Sequence, residues 1–215
     1  MKLNEYLEKI KKSDCPQDCE HKFNKVKEIA LVPPPDEILG IIVSRDPTVD
    51  WLEHHYRKEM KSRKELFDSA IPKQLFERIN DFMANDITEE KKKHLYKFIN
   101  KNIYWTHLHK CFTDKKGKKS IKFKNKNASS CADKWLTEEL NIALKDKIRF
   151  IIALGNDVQK WICEWREDYC KNKNIKIINL PHPSPANVGI TSSWNPETKD
   201  KVKIEKRINT LLELC

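Results

Sequence analysis

Asp46 and His182 are the residues of this chain whose types and settings could do chemistry together. Asp46 lies in Ser44-Arg45-Asp46-Pro47-Thr48, directly after an apolar run. His182 lies in Pro181-His182-Pro183-Ser184-Pro185, directly after another. Three prolines in five residues cannot continue a strand, because each lacks a backbone donor and fixes φ. A rigid loop therefore carries His182 and Ser184 away from a strand end, which is where open α/β sheets bind ligands. A carboxylate and an imidazole on one sheet edge suit hydrolysis through a cation-like transition state. The carboxylate orients water and stabilises positive charge, and the imidazole stabilises the departing anion. Taken singly, Asp46 reads as a cap or turn residue; the pair carries the chemical reading.

The elements that must position this pair are legible as apolar runs. Ile38–Ser44, Ile103–His109, Ile148–Leu154 and Ile175–Leu180 read as strands, and the near-continuous apolar character of the first fits a strand covered on both faces. Helices are expected over Leu3–Lys12, Trp51–Lys61, Ser69–Asn85, Thr88–Asn100, Cys131–Lys145, Val158–Tyr169 and Asp200–Leu214. Strands separated by helices predict an α/β fold, a three-layer α/β/α sandwich around a four-stranded parallel sheet. Right-handed crossovers would put all four strand ends on one edge. That edge would carry Arg45-Asp46, His107/His109-Lys110, Gly155-Asn156 and His182/Ser184. No internal repeat or long linker divides the chain, so residues 1–215 read as a single domain.

The chain has 215 residues, 34% of them charged, with a formal net charge of +10. A basic balance favours a polyanionic partner, most often nucleic acid. No run approaches the roughly 18 apolar residues of a membrane-spanning helix, and Met1–Tyr6 has no apolar signal core. The expectation is a cytoplasmic protein with no membrane partner. Seven cysteines, an odd number without a secretion signal, argue against a disulfide framework and leave metal binding or buried thiols. The stretch Asp114–Asn127 holds Lys115, Lys116, Lys118, Lys119, Lys122, Lys124 and Lys126, lysine at half its positions. It reads as a phosphate-contacting flap.

In order along the chain, these motifs resemble the uracil-DNA glycosylase superfamily. Ser44-Arg45-Asp46-Pro47-Thr48 resembles its first motif, and Pro181-His182-Pro183-Ser184-Pro185 matches the second nearly letter for letter. Phe150-Ile151-Ile152-Ala153-Leu154-Gly155 is similar to the intervening strand of the iron–sulfur branch. That branch carries four cysteines at places held here by Cys15, Cys19, Cys111 and Cys131, with Lys110-Cys111 matching its Lys-Cys. The resemblance implies a [4Fe-4S] cluster, to which the N-terminal segment 1–35 would contribute; a structural Cys₄ zinc is the chemical alternative. Cys163, Cys170 and Cys215 have no match and read as plain thiols.

The resemblance further implies a monofunctional DNA glycosylase, a monomer acting on DNA and associated with the nucleoid. It would hydrolyse the N-glycosidic bond of a flipped base and leave an abasic site. Asp46 would position water on the sugar C1′, His182 would stabilise the leaving base, and Ser184 would bind a backbone phosphate. Asn187-Val188, or Ala186, falls at the minor-groove wedge, and Asn187 counts with the lysines as a backbone contact. The target base must leave the stack, because the glycosidic bond is inaccessible within it.

Three departures concern the base. Aligning on Lys110-Cys111 puts His107 where the branch has the Asn that reads uracil. Arg45 replaces Gln or Glu, and Thr48 replaces Tyr or Gly. A larger or modified pyrimidine is therefore expected as readily as uracil, with Arg45, Thr48, Trp51, His107 and His109 as its contacts and Trp51 or Tyr56 as stacking platforms. A bulky modified cytosine in foreign DNA would make the protein an antiviral defence factor. A DNA-binding module without catalysis is the competing class, and it would need neither Asp46 nor His182.

Overall fold

The computed structural model describes residues 1–13, 31–47, 65, 71–84, 86–110, 125–145, 147–168, 174–183, 193–195 and 197–215. The expected helix Trp51–Lys61 lies outside them. So do Cys15, Cys19, Thr48, Trp51, Tyr56, Cys111, Lys115, Lys116, Lys118, Lys119, Cys170, Ser184, Ala186, Asn187 and Val188.

Four strands form the centre: β1 (Gly40–Ser44), β2 (Ile103–His107), β3 (Phe150–Leu154) and β4 (Lys176–Leu180). They pair in the order β2-β1-β3-β4, every pair parallel. Ser44 stands opposite His107, Val43 opposite Ala153, and Leu154 opposite Leu180. Every residue of β1, β2 and β3 is buried, as a parallel sheet covered on both faces requires.

Side-chain alternation divides the core into two layers. On one face Ile41, Val43, Tyr104, Ile151 and Ala153 pack with α1 (Leu3–Lys12), α4 (Asn125–Cys131), α5 (Thr137–Ala143) and α6 (Asn156–Asp168). On the other, Ile42, Ile103, Trp105, Phe150, Ile152, Leu154, Ile178 and Leu180 pack with α2 (Ile71–Phe82), α3 (Glu89–Asn102) and α7 (Lys201–Leu214). The result is the expected α/β/α sandwich. α1 buries Leu3, Tyr6, Leu7 and Ile10, spaced for one helical face. Its Tyr6 hydroxyl donates to the Trp135 carbonyl, 3.0 Å, and burial pushes the pKa of that phenol well up, so it stays protonated as a donor.

Two expectations change in detail. β2 ends at His107 rather than His109, yet its ladder continues: the N–H groups of Leu108 and His109 donate to the carbonyls of Ser44 (2.8 Å) and Arg45 (2.9 Å). The helix expected over Cys131–Lys145 begins at Asn125, and α4 and α5 are separated by π-helical turns over Ala132–Leu136. Such a widened turn frequently marks a functional region, and this one starts directly after Cys131.

Gly40 opens β1 where a Cβ would come within 2.6 Å of the Phe150 ring. Only a hydrogen fits there.

Candidate active site at the carboxyl edge of the sheet

The strand order reverses between β1 and β3, so a crevice opens at the carboxyl ends of these two strands. Asp46 follows β1 by two residues and His182 follows β4 by two. With β3 between their strands, the two backbones are separated by two strand spacings, roughly 10 Å. Ile42, Trp105 and Leu180 lie on the α2–α3–α7 side, alternation within β2 puts His107 in phase with Trp105, and Asp46 and His182 follow at the ends of β1 and β4. The three candidates thus share one edge of the sheet.

Asp46 is held by its neighbour. Arg45 Nε donates to Asp46 Oδ1 at 2.6 Å, with the Asp46 side chain 9% exposed and that of Arg45 48%. The His109-to-Arg45 backbone bond fixes the chain at this point.

His182 is held from several sides. The Trp194 indole donates to its carbonyl at 3.2 Å, and Arg78 Nε donates to the Pro183 carbonyl at 3.3 Å. The Gln159 amide donates to the Leu180 carbonyl at 2.9 Å. Behind the loop, Gly155 adopts φ +82°, which favours glycine. Its N–H donates to the Leu180 carbonyl at 2.9 Å, and a Cβ on it would stand 3.5 Å from that of His182. Burial, and then the Arg45 guanidinium, lower the His182 pKa to about 4. The ring is neutral at pH 7 and can donate an N–H without first being a cation.

His107 and His109 are both 1% exposed. The His107 ring packs on Trp105 with centroids 4.7 Å apart, and the Trp105 indole donates to Ser44 Oγ at 2.9 Å. Burial, then the charges of Lys110, His182 and His109, hold His107 well below its ordinary pKa. His107 and His182 therefore lie within electrostatic reach of each other.

Beneath this edge runs a buried polar network that the sequence reading missed. Lys110 Nζ lies 2.7 Å from Glu139 Oε2 and donates to Thr106 Oγ1 at 2.5 Å. The Thr106 and Tyr104 hydroxyls both donate to Glu139 Oε1, at 2.5 and 2.8 Å. A signal existed: Glu139 shares a helical stripe with Trp135, Leu136, Ile142 and Ala143, all buried. Gly155, Trp194 and Arg78 were likewise not singled out as supports of the His182 loop.

Of the four cysteines expected at a metal, Cys131 is described. It is buried, and its Sγ accepts from the Lys110 backbone N–H at 3.4 Å, one residue before Cys111. Among the described residues no three His, Cys, Asp or Glu side chains gather as a metal site. No described helix is long and apolar enough to cross a membrane.

A search among curated proteins found no match to the chain. The family model described as "Uracil DNA glycosylase superfamily" matches residues 41–208, from within β1 to within α7. That span is well over half the chain and holds all of the four-stranded sheet but Gly40, with both Asp46 and His182, so the chain belongs to the uracil-DNA glycosylase superfamily.

Proposed function

We propose that the protein is a monofunctional DNA glycosylase, acting on a flipped uracil or modified pyrimidine and leaving an abasic site. The observation that carries this reading is the pairing of a nearly buried carboxylate, Asp46, with a neutral imidazole, His182, on one edge of the sheet. The gap of roughly 10 Å between their strands suits a sugar and base lying between them. The C1′–N bond breaks with its electron pair passing to the base. A water held by Asp46 bonds to C1′, and its proton leaves to solvent by way of that carboxylate. His182 donates a hydrogen bond to the departing base, which takes its own proton from solvent. Ser184, Asn187 and the lysines of 114–127 are assigned to the DNA backbone.

The base contacts fall to Arg45, Thr48, Trp51, His107 and His109. His107 favours a modified pyrimidine over plain uracil. An imidazole offers one donor or acceptor per ring nitrogen, where an amide would offer a donor and an acceptor side by side, and this ring is packed on Trp105. Excision of a bulky C5-modified cytosine from foreign DNA would make the protein a defence factor. Base release from oligonucleotides carrying uracil, hypoxanthine or C5-modified cytosines tests both levels. Release from none, with Asp46 intact, ends the glycosylase reading; release of uracil alone ends the modified-base one.

Cys15, Cys19, Cys111 and Cys131 would hold the [4Fe-4S] cluster or, alternatively, a zinc ion. The buried Cys131 sulfur with its backbone N–H donor suits a metal thiolate. When bound, the group would cross-link chain segments rather than take part in hydrolysis. Absorbance near roughly 400 nm from thiolate–iron charge transfer in anaerobically purified protein, lost in Cys131→Ala, supports the cluster. A colourless protein containing zinc would favour the alternative.

A further inference from the structure

We infer that Arg45 is a catalytic residue, the cation that takes up the negative charge of the departing base. The inference rests on the glycosylase reading and deepens it. His182 enters the reaction neutral, so it supplies a hydrogen bond and no full positive charge. A base leaving with an electron pair carries a full negative charge into a partly closed crevice, where a fixed cation stabilises it far more than in water.

Among the described residues, cations near this edge include Lys110, Arg78 and Arg45. Lys110 is sealed against Glu139, Nζ to Oε2 2.7 Å. Arg78 holds the Pro183 carbonyl and lies 3.8 Å from Asp81. Arg45 is different. Its side chain is 48% exposed, so an incoming nucleotide can reach it. Its Nε is on Asp46, which orients the guanidinium beside the reacting centre. Its charge also helps lower the His182 pKa, so the guanidinium lies within electrostatic reach of the imidazole. A guanidinium has five N–H donors, and the bond from Nε to Asp46 uses one of them, so an acceptor on the base can be met without giving up Asp46.

The balance of the step is then complete. The C1′–N electron pair moves onto the base, whose charge is shared between the Arg45 guanidinium and the His182 N–H. The water oxygen bonds to C1′ and its proton departs through Asp46. The released base takes a proton from solvent.

The test is single-turnover release from duplexes carrying 5-fluorouracil, uracil, cytosine or 5-hydroxymethylcytosine. These bases run from a good to a poor leaving anion. Wild type is compared with Arg45→Gln and Arg45→Lys. Loss of a charge-stabilising donor lowers rates by about 100- to 1,000-fold, so Arg45→Gln is expected to fall by this order on the poorest leaving group released. The better leaving groups should lose clearly less, and Arg45→Lys should recover much of the deficit. An Arg45→Gln deficit equal across the released bases overturns the inference, because it assigns Arg45 to holding Asp46. So does an undiminished rate. Wild-type protein that releases none of the four bases, nor hypoxanthine or a bulky C5-modified cytosine, overturns the inference together with the glycosylase reading, which separates that outcome from failure of the Arg45 role alone.

Discussion

Glu139 Oε2 lies 2.7 Å from Lys110 Nζ, and both side chains are closed to solvent. The pair ties α5 to the segment that follows β2, which carries His109 directly beyond His107. Removing one partner of a buried pair leaves the other charged and uncompensated, at a cost of about 3–5 kcal/mol. Glu139→Gln should therefore lower the unfolding free energy by about that amount, read from urea denaturation. A loss within the range of an ordinary surface substitution, about 0.5 kcal/mol, would show that the network carries no such weight.

His182 gives the protein an acid-side weakness. Its pKa is lowered from 6.5 to about 4 in the folded chain. Between those values the unfolded chain binds a proton that the folded chain refuses. The stabilisation is thus complete above about 6.5 and is lost as pH falls toward 4, a total of about 3 kcal/mol. His107 is displaced in the same direction and adds to the trend. His182→Gln has no ring to protonate, so its unfolding midpoint should fall less than that of wild type between about pH 7 and about pH 4.5. Parallel losses in the two proteins would remove His182 as the cause.

Trp194 positions His182 without facing the crevice through its polar atom. Its indole donates to the His182 carbonyl, and its ring meets Phe82 edge-on with centroids 6.0 Å apart. Trp194→Phe keeps an aromatic contact and deletes the donor, costing about 1 kcal/mol of stability. If loop position matters to catalysis, kcat should fall by up to about 100-fold while KM stays near its wild-type value. A matching change in KM alone would make Trp194 a binding residue instead.

The lysines of 114–127 predict a salt signature. Each phosphate contact contributes about 0.9 to the slope of log binding constant against log salt on duplex DNA. Replacing Lys115, Lys116, Lys118 and Lys119 together by Ala should reduce that slope by about 3 to 4, measured by fluorescence anisotropy across a salt series. An unchanged slope would return the segment to a solvated role.

The sheet was legible because its strands are apolar runs that need little beyond their own composition to be recognised. Asp46 and His182 were legible because each stands two residues past such a run, beside proline. Lys110 and Glu139 were harder. Each looks like one more charge in a chain rich in them, and their pairing depends on the docking of α5 against β2, which no local pattern states. The π-helical turns after Cys131 escaped for a similar reason, since Ala132–Leu136 continues the apolar spacing of an ordinary helix. For His107, alternation correctly put it in phase with Trp105. What alternation could not reveal is that the two rings meet.

The position of β4 has a consequence for how the protein comes to life. Among the described residues it is the last strand in sequence and the outermost, next to β3, so its place on the sheet exists only once β3 has been laid down. Asp46 and Arg45 emerge early in synthesis, and His182 arrives after most of the chain is already made. A nascent or truncated chain would thus hold Asp46 and Arg45 without His182. The candidate site is in this sense a late and collective property of the fold, incomplete until β4 takes its place at the edge of the sheet.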